Sequence, residues 1–155
     1  MAVFQSFFFH TGDSMLEIIL ITSKPMCPAS ELLIRRVNEI INLNYENEDI
    51  VLHLDVSDNV KVYTPVKVSE LAELETSFDI IETILRRRRE DIGEFFHEAE
   101  LWCPELETAM EPLRDAAENL SILMSPVLII QGEIKSHGSC PSPCVLDKWI
   151  GEKLR

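Results

Sequence analysis

Apolar residues fall along this chain in two different periods. Residues 15–22, MLEIILIT, form a short, nearly continuous apolar run closed by Ser-Lys-Pro, the pattern of a buried strand. In the next segment, CPASELLIRRVNEIINL, the residues Ala29, Leu32, Leu33, Val37, Ile40 and Ile41 recur at helical spacing and make one apolar stripe. Pro28 suits the first turn of that helix, which makes Cys27 its N-cap. Residues 50–56, IVLHLDV, give a second strand. Strand, helix and strand at these lengths predict a right-handed βαβ unit with parallel strands. Toward the C-terminus, PVLIIQ (126–131) predicts a third strand. Gly132-Glu133 predicts a tight turn, and IKSH a fourth strand. A last helix starts at Ser142 or Pro143, with Val145, Leu146, Trp149, Ile150 and Leu154 on one face.

The long middle, residues 57–124, reads as mostly helical. Leu71, Leu74, Phe78, Ile81 and Leu85 share one face of a helix capped by Ser69. A further helical stretch is expected from Gly93 to about Trp102, with Pro104 and Pro112 as breaks and DAAENLSILM closing the segment. A parallel crossover needs only about a dozen residues. The expected organisation is therefore an α/β domain of residues 15–56 and 124–155, a helical insertion of residues 57–123, and an N-terminal extension of residues 1–14, with Met15 as an alternative start. The four arginines Arg86 to Arg89 lie on that insertion, where Glu82, Glu90 and Asp91 stand at pairing distance on the same helix, so a solvated face is expected.

Charge narrows the function classes. With 27 acidic and 14 basic side chains among 155 residues, the formal charge is -13. Nucleic acid and anionic membrane surfaces demand clustered positive charge, so neither is an expected partner. No apolar run approaches the roughly 20 residues that span a bilayer. The apolar patch near the N-terminus has no basic residue before it, which speaks against a secretory signal and for a cytoplasmic chain with reduced thiols. Four cysteines are too few for a disulfide scaffold and enough for redox or metal chemistry.

The densest chemical signal is Ser23-Lys24-Pro25-Met26-Cys27-Pro28-Ala29-Ser30, between a strand and a helix. A thiol at a helix N-terminus faces unpaired N–H groups and the positive end of the helix dipole, both of which favour thiolate. Lys24 adds positive charge, and Ser30 sits where its hydroxyl can reach back to the sulfur. The competing reading is a structural cysteine that happens to precede a helix.

KPMCPAS resembles the active-site loop of glutaredoxins in its one-thiol form, and the order of elements is similar to the thioredoxin-like fold that glutaredoxins share. Met124 to Glu133 is similar to that family's cis-proline segment. The resemblance implies a four-stranded mixed sheet, βαβ…ββα, with the helical insertion ahead of the cis-proline strand. It implies Cys27 as nucleophile with Ser30 and Lys24 in support, a cis Ser125-Pro126 bond beside the thiol, and substrate held at Ser125 and Pro28 through free backbone groups. A helical insertion at this point is similar to that of periplasmic disulfide oxidases.

The chain departs from the pattern at Ser30, where a dithiol motif has its second cysteine, and at Ala29, where an aromatic is usual. His137-Gly138-Ser139-Cys140-Pro141 replaces the Gly-Gly and acidic pair that holds glutathione, which argues against glutathione as co-substrate. Cys140 and Cys144, at C-x3-C, are candidates for the resolving role that Ser30 has lost. A four-thiolate zinc or iron–sulfur site with Cys27 and Cys103 is a weaker reading, because no C-x2-C pair exists. His137 is the one histidine placed to tune a thiolate. The expectation is a thiol–disulfide exchange protein that acts on a protein disulfide and carries no resident cofactor. The alternative is a non-catalytic module of the same fold whose insertion docks a partner protein or a second copy.

Overall fold

The computed structural model describes residues 15–22, 27–56, 62–93 and 97–154. Its centre is β1 (Leu16–Thr22), apolar on both faces because it is an inner strand: Leu16, Ile18 and Leu20 point to one side, Ile19 and Ile21 to the other, and all are buried. On one flank β2 (Ile50–Val56) runs parallel to it, in register from Leu16–Ile50 to Thr22–Val56. On the other, β5 (Val127–Ile130) is antiparallel, with Ile21 opposite Val127. Then β6 (Glu133–His137) pairs antiparallel to β5, with a register irregularity at Leu128/Ile129. The sheet order is β2-β1-β5-β6.

One sheet face is covered by α1 (Pro28–Asn44), which buries Ala29, Leu33, Val37 and Ile40, and by α5 (Pro143–Lys153), which buries Leu146 and Ile150. Pro143 opens α5, one of the two starts the sequence offers, and Ser142 caps it, its hydroxyl accepting from the Val145 N–H at 3.3 Å. The opposite face, Ile19, Ile21, Val127 and Ile129, packs against Val62 and Leu123 of a second, two-stranded parallel sheet, β3 (Val62–Tyr63) with β4 (Leu123–Met124).

Between β3 and β4 the chain is helical: α2 (Pro65–Leu71), α3 (Glu75–Ile92), a 3-10 turn (Glu98–Leu101) and α4 (Pro104–Asn119). Val68, Ile81, Ile84, Leu106, Met110, Leu113, Ala117 and Met124 form their own core. The described residues therefore form a mixed α/β structure with a four-stranded mixed sheet and five α-helices.

Several local expectations need correction. Ser69 caps nothing; it is buried within α2 and its hydroxyl donates to the Val66 carbonyl at 2.6 Å. Thr64 is the cap, accepting from the Lys67 N–H at 3.1 Å ahead of Pro65, and the chain breaks at Glu73, whose φ is 57°, before α3 begins. Pro112 does not punctuate. It lies inside α4, where the buried residues Met110, Leu113 and Ala117 on either side hold the helix together against the roughly 3 kcal/mol such a proline costs. The helix expected at 93–102 reduces to the 3-10 turn, with residues 94–96 outside the description. The short strands β3 and β4 had no expected counterpart. Among the described residues, no helix is long and apolar enough to cross a membrane.

Candidate functional site

Cys27 occupies the N-cap of α1 with extended backbone, and its carbonyl accepts from the Glu31 N–H at 3.1 Å. Its side chain makes no capping bond to the helix N–H groups. Instead the sulfur lies 3.1 Å from the hydroxyl of Ser30, which is fully buried. Ser30 has this position because it stands one turn further on, on the stripe that presses α1 against the sheet. Cys27 itself is half-buried at the edge of the main core. Lys24, with the rest of residues 23–26, lies outside the described residues.

The Ser125-Pro126 peptide bond is cis. Because Val127 is the register partner of Ile21, Pro126 stands at the end of the sheet where β1 hands the chain to the Cys27 loop. Two backbone groups beside it are occupied, where the resemblance implies free ones. The Ser125 N–H donates to the Tyr63 carbonyl at 2.8 Å, and the Pro126 carbonyl accepts from the Gly138 N–H at 2.9 Å. Ser125 itself is fully buried. The physical reason is β3: its pairing with β4 runs on into Ser125, so the chain supplies its own neighbouring strand there. Gly138 permits the second contact through its positive φ of 66°, and a side chain at that position would press within 3.0 Å of Arg114 Cγ.

Cys27 opens into a cavity of about 700 Å³ between α1 and the helical layer. Pro28 of α1, Val66 of α2, Phe78 of α3, Trp102, and Met110 of α4 are among its walls. Among the described residues, the charged side chains in the lining are Arg89 and Glu98. Phe78, Ile81, Leu85 and Arg89 follow one face of α3, which carries the arginine to the end of an apolar stripe.

The other cysteines separate. Cys140 is buried in the same core cluster that Cys27 borders. The Arg36 guanidinium lies 3.4 Å from the Cys140 sulfur and donates to the carbonyls of Cys140 and Pro141 at 3.3 and 3.0 Å. Burial pushes the Cys140 thiol up to about 11, against the opposing pull of Arg36, while the charges of Glu107 and Cys27 act in the same direction as burial. Cys144 is exposed and lines a different hollow with Arg36, Glu39 and Leu43. Cys103 packs into the second core. Among the described residues, no three His, Cys, Asp or Glu side chains converge as a metal would require.

His137 is engaged away from Cys27: its Nδ1 accepts from the Met124 N–H and its Nε2 lies 3.2 Å from Glu118, both within the insertion and its return strand. The arginine run pairs across helices rather than along its own, Arg87 with Glu105 at 3.2 Å and Arg88 with the Glu100 carbonyl. Arg36 was not anticipated as part of this region. Its signal was present: it falls on the buried stripe between Leu33 and Val37, where an arginine needs a partner.

The elevated Cys140 value has a measurable consequence. An unfolded thiol releases its proton near 9.0 and this one near 11, so the folded state holds the extra proton in between. Stability should therefore fall as pH rises from about 9 to 11, by on the order of 2–3 kcal/mol. Urea midpoints across that range, compared with those of Cys140→Ala, should show the slope in the parent protein and lose it in the variant.

No family model, curated protein or solved structure matches this chain.

Proposed function

We propose that this protein is a thioredoxin-like thiol–disulfide exchange protein with Cys27 as its nucleophile. The observation that carries the reading is the Cys27 sulfur, half-buried at the start of α1, 3.1 Å from the buried Ser30 hydroxyl and open to an adjacent cavity. The strand order β2-β1-β5-β6, with β5 reversed, and the cis peptide at Pro126 support the fold assignment. In this mechanism the Cys27 thiolate attacks one sulfur of a substrate disulfide and expels the other as thiolate. Ser30, as donor, stabilises the anion before attack. A second thiol then attacks the mixed disulfide and regenerates Cys27. Cys140 is protonated at neutral pH by its burial, which makes it a weak attacking group, so we assign release to an external thiol.

The test is the iodoacetamide rate of Cys27 at pH 7, followed by peptide mass spectrometry. It should exceed that of free cysteine by about tenfold, and a rate no greater than free cysteine overturns the reading. Ser30→Ala should lower the rate about tenfold, the worth of one hydrogen bond to a charged group. A second reading, a binding module without turnover, draws on Leu71 and Ile80, which are 48% and 54% exposed on α2 and α3. It requires Cys27→Ser to retain partner capture, where the exchange reading requires its loss.

A further inference from the structure

Two features of the site bear on what Cys27 reacts with. The first is that the Ser125 N–H and the Pro126 carbonyl, beside the cis-proline, are already paired within the chain. Recognition of an extended chain by strand addition draws its affinity from unpaired N–H and C=O groups along an edge. Here the Ser125 N–H is held by Tyr63, the Pro126 carbonyl by Gly138, and the side of β4 that would receive a strand already carries β3. After Tyr63 the chain continues through Thr64, Pro65 and Val66, which line the same cavity as Cys27. The segment that closes the polypeptide edge is thus also one wall of the cavity.

The second feature is the cavity itself. At about 700 Å³ it lies within the range of small-molecule sites, and among the described residues its walls are aromatic and aliphatic apart from Cys27, Thr64, one cation and one anion. Neither Arg89 nor Glu98 has an ion-pair partner among the described residues. A hydrophilic disulfide would lose hydration on entering this space and recover little of it from the lining. An apolar organic group would be desolvated with gain, held against Phe78, Trp102 and Met110.

We propose that the substrate of Cys27 is a low-molecular-weight organic disulfide, R–S–S–R, whose R group is aromatic or aliphatic and enters this cavity. The inference rests on the reading of Cys27 as a disulfide-attacking thiol. In the step itself the Cys27 thiol gives its proton to solvent, its sulfur bonds to one sulfur of R–S–S–R, and the S–S bond breaks to release RS⁻. A second thiol, R′SH, attacks the resulting Cys27–S–S–R at Cys27 sulfur's partner, forms R′–S–S–R and returns Cys27 as thiolate. Overall R–S–S–R and R′SH become R′–S–S–R and RSH, with no change in the oxidation state of the protein.

The experiment measures the rate of Cys27 modification in the full chain by three probes: 2,2′-dithiodipyridine, oxidised glutathione and an unfolded cystine-containing polypeptide. Each rate is divided by that of free cysteine with the same probe, and Cys27 is followed separately from the other thiols by peptide mass spectrometry. The normalised rate for the aromatic disulfide should exceed both others by at least about tenfold, the effect of burying one ring. Val66→Trp, at a residue 45% exposed on the cavity wall, should lower the ratio of the aromatic-disulfide rate to the iodoacetamide rate at least about fivefold by filling the space.

Equal normalised rates for the three probes overturn the proposal, as does a preference for glutathione or the polypeptide, while leaving Cys27 as an exchange thiol. An unchanged ratio in Val66→Trp overturns it as well. A Cys27 inert to every probe and to iodoacetamide removes both this inference and the function beneath it.

Discussion

Cys27→Ser should reduce disulfide exchange at least about a thousandfold, to the rate of buffer alone, because a serine hydroxyl is not ionised at neutral pH and does not attack sulfur. The measurement is turnover of a chromogenic disulfide with dithiothreitol as the second thiol. The variant is a clean one. Residue 27 is the N-cap of α1, where serine is among the preferred residues, and the native sulfur makes no capping bond that the change would break. Thermal stability should be equal to the parent's or slightly higher, so lost turnover would not reflect lost fold. Retention of more than about a tenth of the rate would place the chemistry on Cys103, Cys140 or Cys144 and end the role assigned to Cys27.

The second large effect concerns the helix that presents the cysteine. Leu33 and Leu43 are the same residue type on α1, yet Leu33 is completely buried between α1 and the sheet while Leu43 is 81% exposed. Leu33→Ala should destabilise the protein by about 2–5 kcal/mol, the sum of lost transfer energy and the cavity left beside Ile18, Leu20 and Leu128. Leu43→Ala should change stability by less than about 0.5 kcal/mol, since alanine keeps the helix and nothing is uncovered. Urea unfolding of both variants gives the comparison directly. Similar losses in the two would mean that α1 packs on a different face, and the placement of Ser30 against the Cys27 sulfur would go with it.

What the sequence made legible follows from how local each signal is. The strand at MLEIILIT, the stripe from Ala29 to Ile40 and the helix start at Ser142 or Pro143 are written in neighbouring residues, and all three stand in the structure. Cys27 as N-cap and Ser30 reaching back to its sulfur are likewise local, three residues apart on one turn. The cis bond at Ser125-Pro126 came from resemblance, since composition alone favours trans.

The misreadings share a different cause. Thr64-Pro65 is a stronger helix start than Ser69, but the apolar periodicity runs on past the break at Glu73 and hides it. Pro112 reads as a breaker until one knows that Met110, Leu113 and Ala117 are held by α3. Strands of two residues, as in β3 and β4, carry no periodicity at all, so the hydrogen bond that closes the backbone at Ser125 was invisible. The bridge from Arg36 to Cys140 and Pro141 joins residues a hundred positions apart and could be suspected only from an arginine on a buried stripe.

The placement of β1 has a consequence for how the chain is made. Its partner on one side, β2, follows within a few dozen residues, but its partner on the other, β5, is separated from it by the whole insertion, so that Ile21 waits for Val127. While the ribosome is still producing the helices, this strongly apolar strand has one bare margin of unpaired amides and carbonyls. Such a margin invites pairing with a neighbouring nascent chain. The helical segment has a core of its own, and its early collapse would shorten the gap that β5 must cross to reach that margin.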